Sequence, residues 1–224
     1  MGKRKDSIQT REQIIEAAIH AFAEKGFYIA TIAEICERAG TNVASVNYHF
    51  GDKETLYLES WQRAFHDSLE KHPPHRGVPS DAPAEKRLYG HIRALLDRIF
   101  DPECHEFEII HKEMGSPTGH LAKMKIQCLE PLRAMLSSIV RDIVGYDISD
   151  AELTLCEMSI RSQCLNPMIM SLRRRNVEPL VRTHPNLSSD PTVLADHIWR
   201  FSLAGLRNLS QNHSETIPAM EESV

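Results

Sequence analysis

The sequence predicts an all-α fold: a small N-terminal three-helix unit carrying a helix-turn-helix, then a larger helical body. Three observations predict it. Residues 31–53, TIAEICERAGTNVASVNYHFGDK, read as a short helix, a glycine turn and a second short helix with an aromatic exit. Apolar residues recur at spacings of three and four along most of the remaining chain, the period of helices with one buried face. The 224-residue chain is long enough to bury a core without cross-links, and its five scattered cysteines (36, 104, 128, 156 and 164) include no C-x-x-C pair. That usage argues for a reducing compartment and against a disulfide frame or a zinc finger.

Residues 10–25 place Ile14, Ile15, Ala18, Ile19 and Phe22 on one stripe of an amphipathic helix that ends at Gly26. Thr31 and Glu34 stand three apart ahead of an apolar run, so hydroxyl and carboxylate can each satisfy a free amide of a new first turn. In that second helix Ile32, Ile35, Cys36 and Ala39 share a core face, while Glu34, Glu37 and Arg38 face water. Gly40 supplies the left-handed residue that ends it. Asn42 caps a third helix through Val43–Tyr48, with Val46 turned to the core and Val43, Ala44, Ser45, Asn47 and Tyr48 turned outward. Two short helices joined this way form a helix-turn-helix, whose second helix enters the DNA major groove.

Gly51-Asp52 makes a turn, and Asp52 caps a helix through Leu56, Tyr57, Trp61, Phe65 and Leu69 that connects head to body. Residues 72–83 are a proline-dense loop. His72 and His75 have no carboxylate or cysteine at ligand spacing, so no metal is expected there. A helix over 84–100 carries Leu88, Ile92, Leu95, Leu96 and Ile99, and Asp101-Pro102 interrupts it. Phe107, Ile110 and Met114 share the expected apolar face of the next element, which stops at Gly115-Ser116-Pro117. Cys104, His105 and His111 point to different sides of it, and no metal is expected among them.

From Gly119 to Val144 a long helix carries Leu121, Met124, Cys128, Leu132, Met135, Leu136, Ile139 and Ile143, and Pro131 is expected to bend or break it and open space between helices. Ser149 caps the next helix, with Leu153, Cys156, Met158, Ile160 and Leu165 ahead of Asn166-Pro167; the arginines at 173–175 read as a solvated helix end. Residues 183–191 are loop. Asp190 caps a last helix with Leu194, Ile198, Phe201, Gly205 and Leu209 along one side, where Ala204-Gly205 lets another backbone come close. A subunit interface is expected on that side.

Residues 1–53 hold seven basic and seven acidic side chains, so the rest of the chain carries the whole formal charge of −5. A neutral head still binds DNA if Lys3, Arg4, Lys5 and Lys53 share a face, because phosphate attraction is local. No apolar run approaches the roughly 20 residues that span a bilayer, and the N-terminus lacks an apolar signal core, so no membrane partner and a cytoplasmic location are expected.

Thr10 to Tyr57 resembles the DNA-binding segment of TetR-family transcriptional regulators. The marks are Phe22, Gly26-Phe27, Thr31-Ile32, Ala39-Gly40, Tyr48-His49-Phe50 and Lys53-Glu54, in that order and spacing; Asn47 stands where an aromatic is frequent in the family. EFEIIHKEM, GSPT, EPLRAML, RSQCL and LADHIWRFSLAGLRNL are similar to the C-terminal domain of a subgroup that regulates small-molecule efflux and related stress genes. The resemblance implies a DNA-binding domain over 1–53 and a helical effector-binding and dimerisation domain over 54–224, whose last two long helices form a four-helix dimer bundle. It also implies a homodimer on a palindromic double-stranded DNA operator, released by an apolar or amphipathic small-molecule effector, with repression as the default and no cofactor.

On that reading Thr31, Ser45, Tyr48, His49 and Lys53 hold phosphates, Val43 and Ala44 touch thymine methyls, and Asn47 or Asn42 pairs with adenine. The effector is expected among Leu95, Phe107, Met114, Cys128, Met158 and Arg161, since methionines repack easily and an arginine can meet a ligand anion. No G-x-S-x-G, H-E-x-x-H, P-loop or G-x-G-x-x-G is present, so an enzyme is not expected. The alternative is a thiol-based redox regulator working through Cys104, Cys128, Cys156 and Cys164.

Overall fold

The computed structural model describes residues 2–145, 148–176 and 190–212. Within them the chain is all-α, with helices α1 (Gly2–Ile29), α2 (Ile32–Ala39), α3 (Val43–Phe50), α4 (Lys53–Lys71), α5 (Ala84–Phe100), α6 (Glu106–Gly115), α7 (Leu121–Val144), α8 (Asp150–Asn176) and α9 (Pro191–Asn212). They fall into two compact units. The first holds Met1–His72 with Arg98–Glu130, the second Pro73–Asp97 with Pro131–Val224. No described helix is long and apolar enough to cross a membrane.

In the first unit α1 packs against α2, α4 and α6. Ile14, Ala18 and Phe22 of α1 are buried with Ile35, Val46, Leu56, Tyr57 and Trp61, so the stripes predicted on α1 to α4 form the core of this unit, joined by Ile109 of α6. Gly26 breaks the regular turns of α1 with φ 74 and ψ 175, a region open essentially to glycine alone. A Cβ there would meet Cβ of Lys112 on α6 at 3.2 Å, so the glycine also permits the close approach of α6.

The expected face of α6 is corrected by the structure. Met114 is 62% exposed, and the buried residues are Glu106 and Ile109. The apolar period fails because a charged residue takes a core position. Arg98 donates from Nε to Ser68 Oγ at 2.9 Å and from Nη2 to Glu106 Oε1 at 2.5 Å, with its guanidinium over the rings of Phe65 and Phe107. Glu106 Oε2 has no partner, and burial raises its carboxyl to about 6.

In the second unit Leu88, Ile92 and Leu96 of α5, Leu136, Ile139 and Val140 of α7, Ile160 and Cys164 of α8 and Ala195, Ile198 and Leu206 of α9 form the core. Trp199 donates from Nε1 to the Glu85 carbonyl at 2.9 Å, fastening α9 to α5. Of the outcomes expected at Pro131, a break does not occur: α7 is continuous over Leu121–Val144, and α8 runs through Pro167 to Asn176, where a helix end is expected from the arginines at 173–175. A proline removes one backbone hydrogen bond, and at position 167 burial of the ring and of Met168 offsets that loss. The arginines at 173–175 have side chains outside the described residues, as does the loop expected over 183–189.

Candidate nucleic-acid interface

The helix-turn-helix forms as its residues dictate. Thr31 Oγ1 accepts the Glu34 amide at 3.2 Å and caps α2. Gly40 closes that helix in the left-handed region, φ 62 and ψ 35. Asn42 Oδ1 accepts the Ser45 amide at 3.0 Å and the Ser45 hydroxyl at 3.3 Å, capping α3. Val46 and Phe50 anchor α3 in the core.

The opposite side of α3 is open. Val43, Ala44, Asn47 and Tyr48 are exposed, and at i, i+1, i+4 and i+5 they share one face. Tyr48 is 81% exposed, and its ring meets that of His49 edge to face, with centroids 4.9 Å apart. Ser45 and His49 are half-buried at the edge of this face.

Capping and reading draw on the same atoms at Asn42. Its carbonyl oxygen is occupied as the cap, whereas bidentate adenine pairing needs amide oxygen and nitrogen together. Asn47 carries no such duty, so it is the amide free to reach a base edge.

Two acidic residues of the head, Glu24 and Glu34, are paired with cations inside it. Arg38 pairs with Glu24 at 2.6 Å and Glu34 at 2.8 Å, and Lys25 reaches Glu34 at 2.7 Å. Their pairing with these cations holds the Glu24 and Glu34 carboxyls below the usual range. Lys53, at the first position of α4, lies 4.6 Å over the Phe27 ring, and burial lowers its pKa. It is thus a positioned cation rather than a loose one. Tyr28 is exposed in the last turn of α1, its hydroxyl 3.4 Å from the Pro117 carbonyl. Side chains of Lys3, Arg4 and Lys5 lie outside the described residues.

Of the residues expected to hold an effector, Phe107, Met114 and Cys128 belong to the first unit and Leu95, Met158 and Arg161 to the second. Met114 and Met158 are exposed, and the other four are half-buried. None of the six lines the cavity of about 700 Å³ in the second unit, which is formed by residues including Val78, Arg87, Pro131, Met135, Ser138 and Ile139. That size suits a drug-sized molecule. Pro131 therefore does border open space, although the helix around it stays whole.

On α9, Leu194 and Ile198 are already buried in their own unit, Leu209 is half-buried, and Phe201 and Gly205 are exposed. Phe201 is 67% exposed, and α8, which packs on α9, exposes Leu155 at 62% and Met158 at 51%. Burial pushes the thiols of Cys36, Cys104, Cys128, Cys156 and Cys164 upward, Cys104 to about 11 and Cys164 to about 12. A reactive thiolate needs the opposite shift.

Comparison with known proteins agrees with this geometry. Residues 14–59 match "Bacterial regulatory proteins, tetR family", and residues 84–206 match the C-terminal domain of "HTH-type transcriptional dual regulator CecR". CecR of Shigella flexneri is 29% identical over 157 residues, covering 66% of this chain and 70% of its own. The regulator TtgR of Pseudomonas putida is 34% identical over 98 residues, 44% of either chain. The fatty acid degradation regulator FadR of Bacillus halodurans shares the fold with a TM-score of 0.65 at 18% identity, over 88% of this chain and 99% of that one.

Proposed function

Because the chain belongs to the TetR family of bacterial regulatory proteins, with a C-terminal domain of the CecR type, we propose that this transcriptional regulator works as a homodimer on a palindromic operator. One observation carries the reading: α3 is anchored by Val46 and Phe50 while its other face, Val43, Ala44, Asn47 and Tyr48, is open to solvent. Asn47 reads adenine, Val43 and Ala44 contact thymine methyls, and Thr31, Ser45, Tyr48, His49 and Lys53 meet phosphates. Asn42 serves as the cap that aims α3.

Two copies pair through α8 and α9. The exposed Leu155, Met158, Phe201 and Gly205 supply an apolar face with a close-approach point, and Leu194, Ile198 and Leu209 support it from beneath or beside. Leu194 and Ile198 thus act through packing rather than direct contact. The effector occupies the cavity beside Pro131, where Val78, Met135 and Ile139 offer apolar walls and Arg87 and Ser138 polar anchors, which suits an amphipathic molecule. It releases DNA only by favouring one arrangement of the heads over another. Release of a bound repressor is the expected regulatory sense.

The test is sedimentation together with selection of genomic fragments by the purified protein. Wild type sediments as a dimer and enriches a symmetric sequence; Phe201→Glu sediments as a monomer and loses the enrichment. A monomeric wild type that enriches nothing at low salt overturns the proposal.

A further inference from the structure

We propose that His72, Asp101 and Cys104 form a site for one borderline divalent metal ion of the zinc class, at the junction of α4 with the turn between α5 and α6. The inference goes beyond the DNA-binding reading and does not depend on it. Their ligand atoms, an imidazole nitrogen, a carboxylate oxygen and a sulfur, all lie within 4.8 Å of one another. All three residues belong to the same compact unit.

Local structure holds each donor in place. His72 is the C-cap of α4, its amide donating to the Ser68 carbonyl at 2.9 Å. Its Nε2 lies 2.7 Å from Asp101 Oδ2. Asp101 Oδ1 accepts the Glu103 amide at 2.9 Å, and the Asp101 carbonyl accepts the Cys104 amide at 3.1 Å. That tight turn carries Cys104 back toward His72. Cys104 is buried and the other two are half-buried, so the site is partly open to water.

The donor set selects the metal. Magnesium and calcium take all-oxygen shells, and copper(I) favours sulfur without a carboxylate, whereas zinc accepts nitrogen, sulfur and oxygen together. Tetrahedral zinc bonds of about 2.0–2.3 Å place ligand atoms roughly 3.3–3.8 Å apart. The His72–Asp101 contact, 2.7 Å, therefore opens by roughly 0.6 Å as the sulfur closes in, and water completes the shell.

Lys71 occupies the charge that the metal would take. Its Nζ lies 2.8 Å from the same Asp101 Oδ2, and it also pairs with the exposed Glu103. On binding, Lys71 stays protonated and moves wholly to Glu103. The Cys104 thiol gives its proton to solvent as the sulfur–metal bond forms, so the thiolate and Asp101 together balance the two positive charges. The bound ion ties the end of α4 to the α5–α6 turn.

The experiment is a cobalt(II) titration of the reduced, tag-free, full-length protein, followed by zinc competition. Wild type develops a thiolate-to-cobalt charge-transfer absorption that saturates at one equivalent and disappears as zinc is added. Cys104→Ser loses the band, and His72→Gln, at a half-exposed helix end where the backbone amide does the capping, weakens binding at least about tenfold. Lys71→Met strengthens it several-fold by removing the competing cation, which a purely structural ion pair would not do. No band in wild type, a band kept in Cys104→Ser, or affinity unchanged in His72→Gln or not raised in Lys71→Met overturns the site.

Discussion

The Tyr57 hydroxyl donates a 3.1 Å hydrogen bond to Glu113 Oε2, joining α4 to α6 within the first unit. Burial, reinforced by the Glu113 charge, pushes the phenol well above its ordinary range, so the bond persists at any physiological pH. The same carboxylate accepts from the amides of Thr118 and Gly119, at 2.9 and 3.0 Å, and so also organises the loop after α6. Tyr57→Phe leaves those bonds intact and should cost about 0.5–1.5 kcal/mol. Glu113→Ala strands the buried hydroxyl and frees the loop, and should cost more, about 1–3 kcal/mol. Urea denaturation of both variants checks the order; equal losses would mean that the loop bonds contribute nothing.

Gly26 and Gly40 both have positive φ, yet they differ in what surrounds them. A Cβ at 26 meets Lys112, and the ψ of 175 lies where only glycine is comfortable; a Cβ at 40 meets nothing within 4 Å, in ordinary left-handed geometry. Gly26→Ala is expected to cost about 1–3 kcal/mol. Gly40→Ala should cost about 1 kcal/mol. Thermal or chemical unfolding of the pair reads the difference directly, and a larger loss at position 40 contradicts it.

Asn42 and Asn47 separate aiming from reading. Asn42→Ala removes the α3 cap, which lowers stability by about 0.5–2 kcal/mol and weakens binding to operator and random DNA alike. Asn47→Ala leaves stability alone and costs about 1–3 kcal/mol on operator with little change on random sequence. Fluorescence-anisotropy titrations on both DNAs distinguish them. Equal losses for Asn47→Ala on the two sequences would remove it from base reading.

Asp52 ties the start of α4 to pH. Its Oδ1 accepts the Thr55 amide at 2.7 Å, and that bond holds the carboxyl below the usual aspartate range. A depressed folded pKa means that the stabilisation is complete above the unfolded value of about 3.9 and fades as pH falls through the folded one. Asp52→Asn keeps an acceptor oxygen but no charge. Its stability deficit against wild type should therefore shrink as pH drops below about 4. A deficit that is constant between about pH 7 and 3 excludes this account.

The helices α2, α3 and α4 are legible in the sequence because their signals are local: Thr31, Asn42 and Asp52 each cap a helix three residues before the amide they accept, and Gly40 has the backbone that its position demands. The face of α6 is not, because Glu106 enters the core only when Arg98 and Ser68 arrive from elsewhere in the chain. Pro131 does border open space, as its place in the sequence suggests, but the sequence does not decide between a broken helix and a continuous one, and α7 is continuous. Within the interface, the outward face of α3 follows from spacing, whereas the occupation of the Asn42 oxygen by both the amide and the hydroxyl of Ser45, and the seat of Lys53 on Phe27, need three dimensions. His72 meets Asp101 across 29 residues, a proximity that ligand spacing along the chain does not reveal.

Hydroxyl-radical footprinting of the full-length protein on a fragment enriched from genomic DNA tests the central claim most directly. Two α3 helices carried by a symmetric pair should protect two inverted half-sites centred about 34 Å apart on one face of the duplex, with adenines beneath Asn47. A single protected patch, or protection without inverted symmetry, would contradict it.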